Sequence, residues 1–170
     1  MKALPAVLLF GLLSTLLIGC GYQLRDTATL SEHYRAIYVQ NMKDSDPVYV
    51  ALARYLRQSN ARLVKEPTEA TAFLVIERNE IRERVAVVDP RATAREFELT
   101  QVMDFYVEFK DGRKLAPRTL TASRAYGYDM KNVLSSVGNE QQARNELADT
   151  MARLIYYRLA TDPEREWLAP

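Results

Sequence analysis

The stretch "EFELTQVMDFYVEF", Glu96–Phe109, alternates apolar and polar side chains with a period of two. Phe97, Leu99, Met103, Phe105, Val107 and Phe109 share one parity, while Glu96, Glu98, Thr100, Asp104 and Glu108 share the other. Successive side chains of a strand point to opposite faces of a sheet. The pattern therefore predicts a strand with one face in a core and one in water. Lys110-Asp111-Gly112-Arg113 follows at once, and Asp-Gly between two such runs is a strong hairpin signal. A return strand is expected over roughly Arg113 to Tyr128, with Pro117 marking an edge or a bulge because proline cannot donate to a ladder. Upstream, Ala72–Val88 ("AFLVIERNEIRERVAVV") predicts another long strand. Phe73, Val75, Ile81, Val85 and Val87 share one parity there, and Arg78, Glu80, Arg82 and Arg84 the other. "VDPRATA" between the two supplies a turn.

Outside this three-strand block, Arg35 to Gln40 ("RAIYVQ") is a short β-prone run. Asp46-Pro47 then opens a helix, with a carboxylate to cap it and proline in its first turn. Val48, Leu52, Tyr55 and Leu56 make one apolar helical face, and Asn60 is a natural stop. A second helix is expected to begin at Asn139, with Gln142 three residues on in a capping-box arrangement. Its stripe is Leu147, Met151, Leu154, Ile155 and Leu159, and it fades near Thr161-Asp162-Pro163. The order β-α-β-β-β-α implies an α+β fold: a two-layer sandwich of a four-stranded sheet with both helices on its more apolar face. The opposite face is then charged and open to solvent or a partner.

At 170 residues the chain has room for one domain, and its 48% apolar content can supply a core. The +1 net charge gives no global drive towards a polyanion, so any such ligand needs a local cluster. One cysteine forms no internal disulfide, and one histidine, His33, builds no His/Cys metal site. Residues 1–19 stand apart. Lys2 is a minimal positive region, and Ala6 to Ile18 is an apolar run of about 13 residues, too short for a spanning helix of roughly 20. This reads as an export signal. Leu17-Ile18-Gly19-Cys20 resembles a bacterial lipobox, at which the Cys20 thiol takes a diacylglyceryl group and, after cleavage, its amine takes a further acyl chain. The expected organisation is a cleaved signal at 1–19, one domain at 20–162 and a tail at 163–170. Apart from the lipid on Cys20, no cofactor is expected. Gly21 after the cysteine, rather than an Asp, points to the outer membrane.

No catalytic constellation stands out. There is no glycine-rich phosphate loop and no G-x-S-x-G elbow, and His33 lies in a polar stretch near the anchor. The carboxylate pairs Glu80/Glu83 and Glu96/Glu98 are of the type used for acid–base work, but Glu96 and Glu98 fall on the solvated parity of a strand. The chain is read as a non-enzyme. Arg78, Arg82, Arg84, Arg91, Arg95, Arg113, Lys114, Arg118 and Arg124 all lie in the three-strand block. Such a cluster either binds phosphate through bidentate guanidinium contacts or is neutralised across strands by Glu80, Glu83, Glu96 and Glu98. Tyr126, Tyr128, Tyr156 and Tyr157 suit either a protein interface or the rim of a core.

"CGYQLRD", Cys20–Asp26, resembles the start of the mature outer-membrane LPS-assembly lipoproteins (LptE). The resemblance continues at "REFEL" (Arg95–Leu99), at Pro117, at Arg124 in "SRAY" and at "NEQQ" (Asn139–Gln142). It implies the two-layer fold above and a lipid-anchored protein of the outer membrane, facing the periplasm. It also implies a role as the plug and assembly partner of the LPS-translocating β-barrel LptD, helping lipopolysaccharide reach the outer leaflet. Finally, it implies contacts to lipopolysaccharide from bases between the second and third strands and just before the last helix. Arg91 falls in the first region. "SSVG" (Ser135–Gly138) in the second carries no base, and the nearest is Lys131. No nucleic-acid partner is expected. A lipoprotein that binds another envelope component, peptidoglycan or a transport complex unrelated to lipopolysaccharide, is the alternative reading.

Overall fold

In the computed structural model, which describes residues 30–91, 93–161 and 167–168, the elements run β1 (Ala36–Gln40), α1 (Pro47–Arg57), β2 (Arg62–Val64), β3 (Ala72–Val88), β4 (Ala94–Phe109), β5 (Lys114–Leu115), β6 (Arg118–Gly127), α2 (Val133–Thr161) and β7 (Trp167–Leu168). The fold is α+β, with two helices on one face of a mixed sheet. Its strand order is β2-β1-β3-β4, after which β6 and β5 share the far side of β4 and β7 lies outside β5. β1 runs parallel to both β2 and β3, while the β3–β4–β6 ribbon is antiparallel throughout.

The alternation in β4 is realised residue by residue. Leu99, Met103, Phe105, Val107 and Phe109 are buried beneath the helices, and Gln101 joins them on the same parity. α1 begins as its sequence dictates, with Val48 N–H donating to the Asp46 carboxylate at 2.8 Å and Pro47 in the first turn. It ends at Arg57, and Asn60 beyond it adopts φ of 56°, the left-handed region that asparagine tolerates. One core joins α1 (Val48, Leu52, Leu56), α2 (Leu147, Met151, Ile155, Leu159) and the sheet (Ile37, Leu74, Ile76, Met103). Asp149 ties the helices together, accepting from Arg54 and from the Tyr55 hydroxyl, each at 2.9 Å.

Four expectations are corrected. The sheet has more than four strands: β2 is a three-residue parallel strand, and the return strand is split at Pro117 into β5 and β6. α2 begins at Val133, not Asn139. Asn132 occupies the capping position, its Oδ1 accepting from Ser135 N–H at 3.3 Å, whereas Asn139 lies within the helix and donates to the Gly127 carbonyl. Gln142 donates to Glu146 one turn on rather than back to the helix start. Finally, a bulge between Ile76 and Arg78 flips the strand. Leu74 and Ile76 oppose Val107 and Phe105 on the core face, and after the bulge Ile81 and Val85 take that face. Phe73 and Val75 therefore lie on the opposite face from Ile81 and Val85, despite their shared parity.

Candidate functional site

The helix-free face of the ribbon carries Arg78, Arg82 and Arg84, and the geometry of the basic cluster decides between its two readings. Arg78 Nε donates to Asp104 Oδ2 at 2.7 Å, and the Thr119 hydroxyl donates to the other oxygen at 2.7 Å. Arg84 pairs with Glu98 at 2.6 Å and Arg82 with Glu80 at 3.0 Å. Thr100 and Ser123 join their hydroxyls across β4 and β6 at 2.9 Å. Further along, Arg113 pairs with Asp111, Lys114 with Glu108 and Arg124 with Glu146. Ion pairs thus consume most of the cluster, across strands for Arg78, Arg84 and Lys114 and with local or helix carboxylates for the others. Solvent screens such exposed pairs, so their main effect is to neutralise and order the surface. Two hydrogen bonds to its charged form, from Arg78 and then Thr119, hold the Asp104 carboxyl below the usual carboxylate range. Three of the four carboxylates considered for acid–base work are occupied as well: Glu80 by Arg82, Glu98 by Arg84, and Glu83 facing Arg144 at 3.8 Å.

Arg91 and Lys131 behave differently. Both are exposed, and among the described residues neither side chain has an acidic partner. Arg91 sits in the β3–β4 turn, which Asp89 organises. Its carboxylate accepts from the N–H groups of Arg91 and Thr93 at 2.9 and 3.0 Å and from the Arg95 guanidinium at 2.8 Å. The Thr93 N–H foremost, and Arg95 after it, hold that carboxyl below its ordinary range. The turn is preorganised while its own arginine stays unpaired. Lys131 lies in the connection from β6 to α2, where Tyr128 N–H donates to the Arg95 carbonyl at 2.8 Å. That bond, with Glu96 paired to Gly127, brings the connection to the same end of the molecule as the β3–β4 turn.

The same end exposes apolar side chains that the sequence reading passed over. Val85, Val87 and Val88 of β3 are exposed, as are Met130 just before α2 and Val133, Leu134 and Val137 in its first turns, with Leu134 reaching 84%. The signal was present in "MKNVLSSV": Met130, Val133, Leu134 and Val137 stand at i, i+3, i+4 and i+7, an apolar helical stripe. Starting the helix at Asn139 hid it. Beside them Phe97 stacks on Tyr126 at 5.7 Å and meets Tyr128 edge-on at 5.3 Å. Tyr126 is buried, and burial first, then the charges of Glu83 and Glu140, pushes its hydroxyl up to about 12. Tyr156 stacks on Tyr55 and hydrogen-bonds the Ser59 hydroxyl. These two tyrosines cover the core, whereas Tyr157 is half exposed.

Among the described residues, no group of three or more His, Cys, Asp or Glu side chains is placed to hold a metal ion, and no helix is long and apolar enough to cross a membrane. Cys20, the export signal at 1–19 and most of the tail at 163–170 lie outside the described residues. Within that tail, Trp167 and Leu168 pair with Leu115 and Lys114.

Comparison with known proteins gives a consistent result. The family described as LptE, lipopolysaccharide-assembly, matches residues 34–159. An LPS-assembly lipoprotein LptE of Pectobacterium atrosepticum is 22% identical over 156 residues, spanning 91% of this chain and 84% of that protein. The crystal structure of a minor lipoprotein from Acinetobacter baumannii superposes with a TM-score of 0.64 at 24% identity, covering 81% of this chain and 98% of that one. A lipoprotein B of Nitrosomonas europaea, solved by NMR, gives 0.65 at 16% identity, covering 83% and 91%. The two solved structures support the fold.

Proposed function

Because the chain belongs to the LptE family of lipopolysaccharide-assembly proteins, we propose that it works as an outer-membrane lipoprotein, anchored through lipid on Cys20. In this reading it plugs and helps assemble the LPS-translocating β-barrel LptD and contacts lipopolysaccharide on its way to the outer leaflet. The observation that carries the contact is the pairing of two unneutralised bases, Arg91 and Lys131, with exposed Val87, Val88, Met130 and Leu134 at one end of the fold. Lipopolysaccharide is a phosphorylated amphiphile. Guanidinium and ammonium groups suit its phosphates, and adjacent apolar side chains suit its acyl chains. The neutralised ribbon face supports the plug role, since a rigid, charge-balanced surface matches a polar lumen without an uncompensated field.

Binding of the purified mature protein to lipopolysaccharide tests the contact. Arg91→Asp and Lys131→Glu should each weaken it by about tenfold, the effect of removing roughly 1.4 kcal/mol of interaction. Binding unchanged in both variants removes these residues from the site. The barrel assignment is tested separately: the lipidated protein, drawn from outer membranes, should bring LptD with it in near-equal amount. Recovery with cell-wall partners alone overturns that assignment.

A further inference from the structure

Among the described residues the outer edge of β6 is open: β6 pairs only with β4, in the register Glu96 with Gly127 through Phe105 with Arg118. The Tyr128 N–H to Arg95 carbonyl bond fixes which way each backbone group points. Hydrogen-bonded and non-bonded pairs alternate in an antiparallel ladder, so Thr119, Thr121, Ser123, Ala125 and Gly127 turn their N–H and C=O groups away from β4. The Asn139 amide donates to the Gly127 carbonyl at 3.2 Å, as this assignment requires. Thr119, Thr121, Ser123 and Ala125 keep a row of outward donors and acceptors, and all four are exposed.

Sheet edges are usually guarded by lysine, proline, a bulge or a covering element. Here the outward positions carry only Thr, Thr, Ser and Ala, small side chains that leave the backbone approachable. Pro117 stands just before the strand and not within it. A groove of ≈ 280 Å³ opens where the end of this edge meets α2, lined by Ala125, Tyr126, Gly127, Asn139, Gln142, Ala143 and Glu146. An open edge strand with a helix alongside is the geometry that accepts a peptide as an added strand. The same side of β4 already takes one such addition, because the chain's own Trp167–Leu168 lies antiparallel on β5.

We propose that the β6 edge, Thr119 to Ala125, receives an extended segment of the β-barrel partner as an added strand. This rests on the barrel reading above for the partner's identity. A second copy paired antiparallel, with its helix on the same face of the sheet, does not fit. α2 packs chiefly over β6 rather than β4, so pairing two β6 edges about 4.8 Å apart would force two helices well inside the 8–10 Å that helix packing requires. A lone extended segment meets no such conflict.

Backbone hydrogen exchange of the full lipidated protein, measured alone and in complex with the barrel extracted from outer membranes, tests this. The amides of Thr119, Thr121, Ser123 and Ala125 should gain protection on the order of 100-fold in the complex. Thr121→Pro deletes one outward donor and leaves the β4 ladder whole, because that N–H does not face β4. It should reduce barrel recovery about tenfold with the thermal midpoint of the isolated protein nearly unchanged. Ser123→Lys, which guards the edge without touching the backbone, should act in the same direction if the proline variant folds poorly. A barrel complex in which these four amides stay unprotected overturns the edge assignment and leaves the barrel reading standing. Failure to recover any barrel overturns both. Protection accompanied by a doubled mass and no barrel identifies a second copy instead, and also overturns the proposal.

Discussion

The two halves of the β3–β4 ribbon use the same residue types to opposite ends. At the base, Leu74, Ile76, Phe105 and Val107 are buried, Leu74 to 1% exposure. Towards the turn, Val85, Val87 and Val88 are exposed, Val88 to 57%. Hydrophobicity and strand propensity do not separate the two. What separates them is cover. α1 starts at Pro47, beside Asn79, Ile81 and Gln101, where a cleft of ≈ 430 Å³ opens between it and α2. Beyond that level β3 emerges from beneath the helices. The base is a core, and the tip is an ordered apolar surface held in shape by hydrogen bonds.

The sharpest way to break the comparison is to delete methyl groups on each side of it. Leu74→Ala at the base should cost about 2–5 kcal/mol in denaturant unfolding, the transfer loss plus the cavity left behind. A loss below 1 kcal/mol would mean that the base is loosely packed. Asp104→Asn comes next. Arg78 and Thr119 depress the folded pKa of Asp104, so its contribution is complete above the unfolded carboxylate range and fades as pH falls through the lower folded value. The variant should lose stability at neutral pH and show a shallower acid limb; coincident acid limbs would show that the pairing is energetically silent. Tyr126→Phe acts in alkali. With its hydroxyl pushed up to about 12, Tyr126 favours the fold as the neutral phenol, fully below the ordinary value of 10 and less as pH rises through 12. Replacing it should flatten the alkaline end of the stability profile, and an unaltered profile would contradict that account. Smallest of all, Val87→Ser at the tip should shift unfolding by no more than about 0.5 kcal/mol. A large loss there would show that the tip carries part of the core.

Much of the base was legible in sequence. Strict alternation located β4, Asp46-Pro47 set the start of α1, and Asp-Gly, with Gly112 at φ of 88°, closed the turn before β5. The tip was harder because its information is not periodic. One extra residue near Glu77 inverts the strand, and no residue type announces a bulge. β2 escaped because three residues carry no pattern, and its pairing with β1 exists only once the chain has folded back. Asn139 misled for a physical reason. An amide side chain serves equally at a helix start or on a nearby carbonyl, and here Gly127 claimed it. Of the candidate residues, Arg91 and Lys131 were found through resemblance, while the apolar stripe from Met130 to Val137 was overlooked. The outward-facing amides of β6 are a property of register, which only three dimensions supply.

The first described residues, from Leu30, meet the sheet at its Ala72–Phe109 end, where His33 and Tyr34 lie against the ring of Phe109. β3 then carries the chain away from that end for 17 residues. At roughly 3.3 Å each this is about 50 Å, allowing for twist and the bulge, against about 30 Å of hydrocarbon in a bilayer. The ribbon is thus a ruler: it sets Arg91 farther from the Leu30 end of the fold than one oily layer is thick.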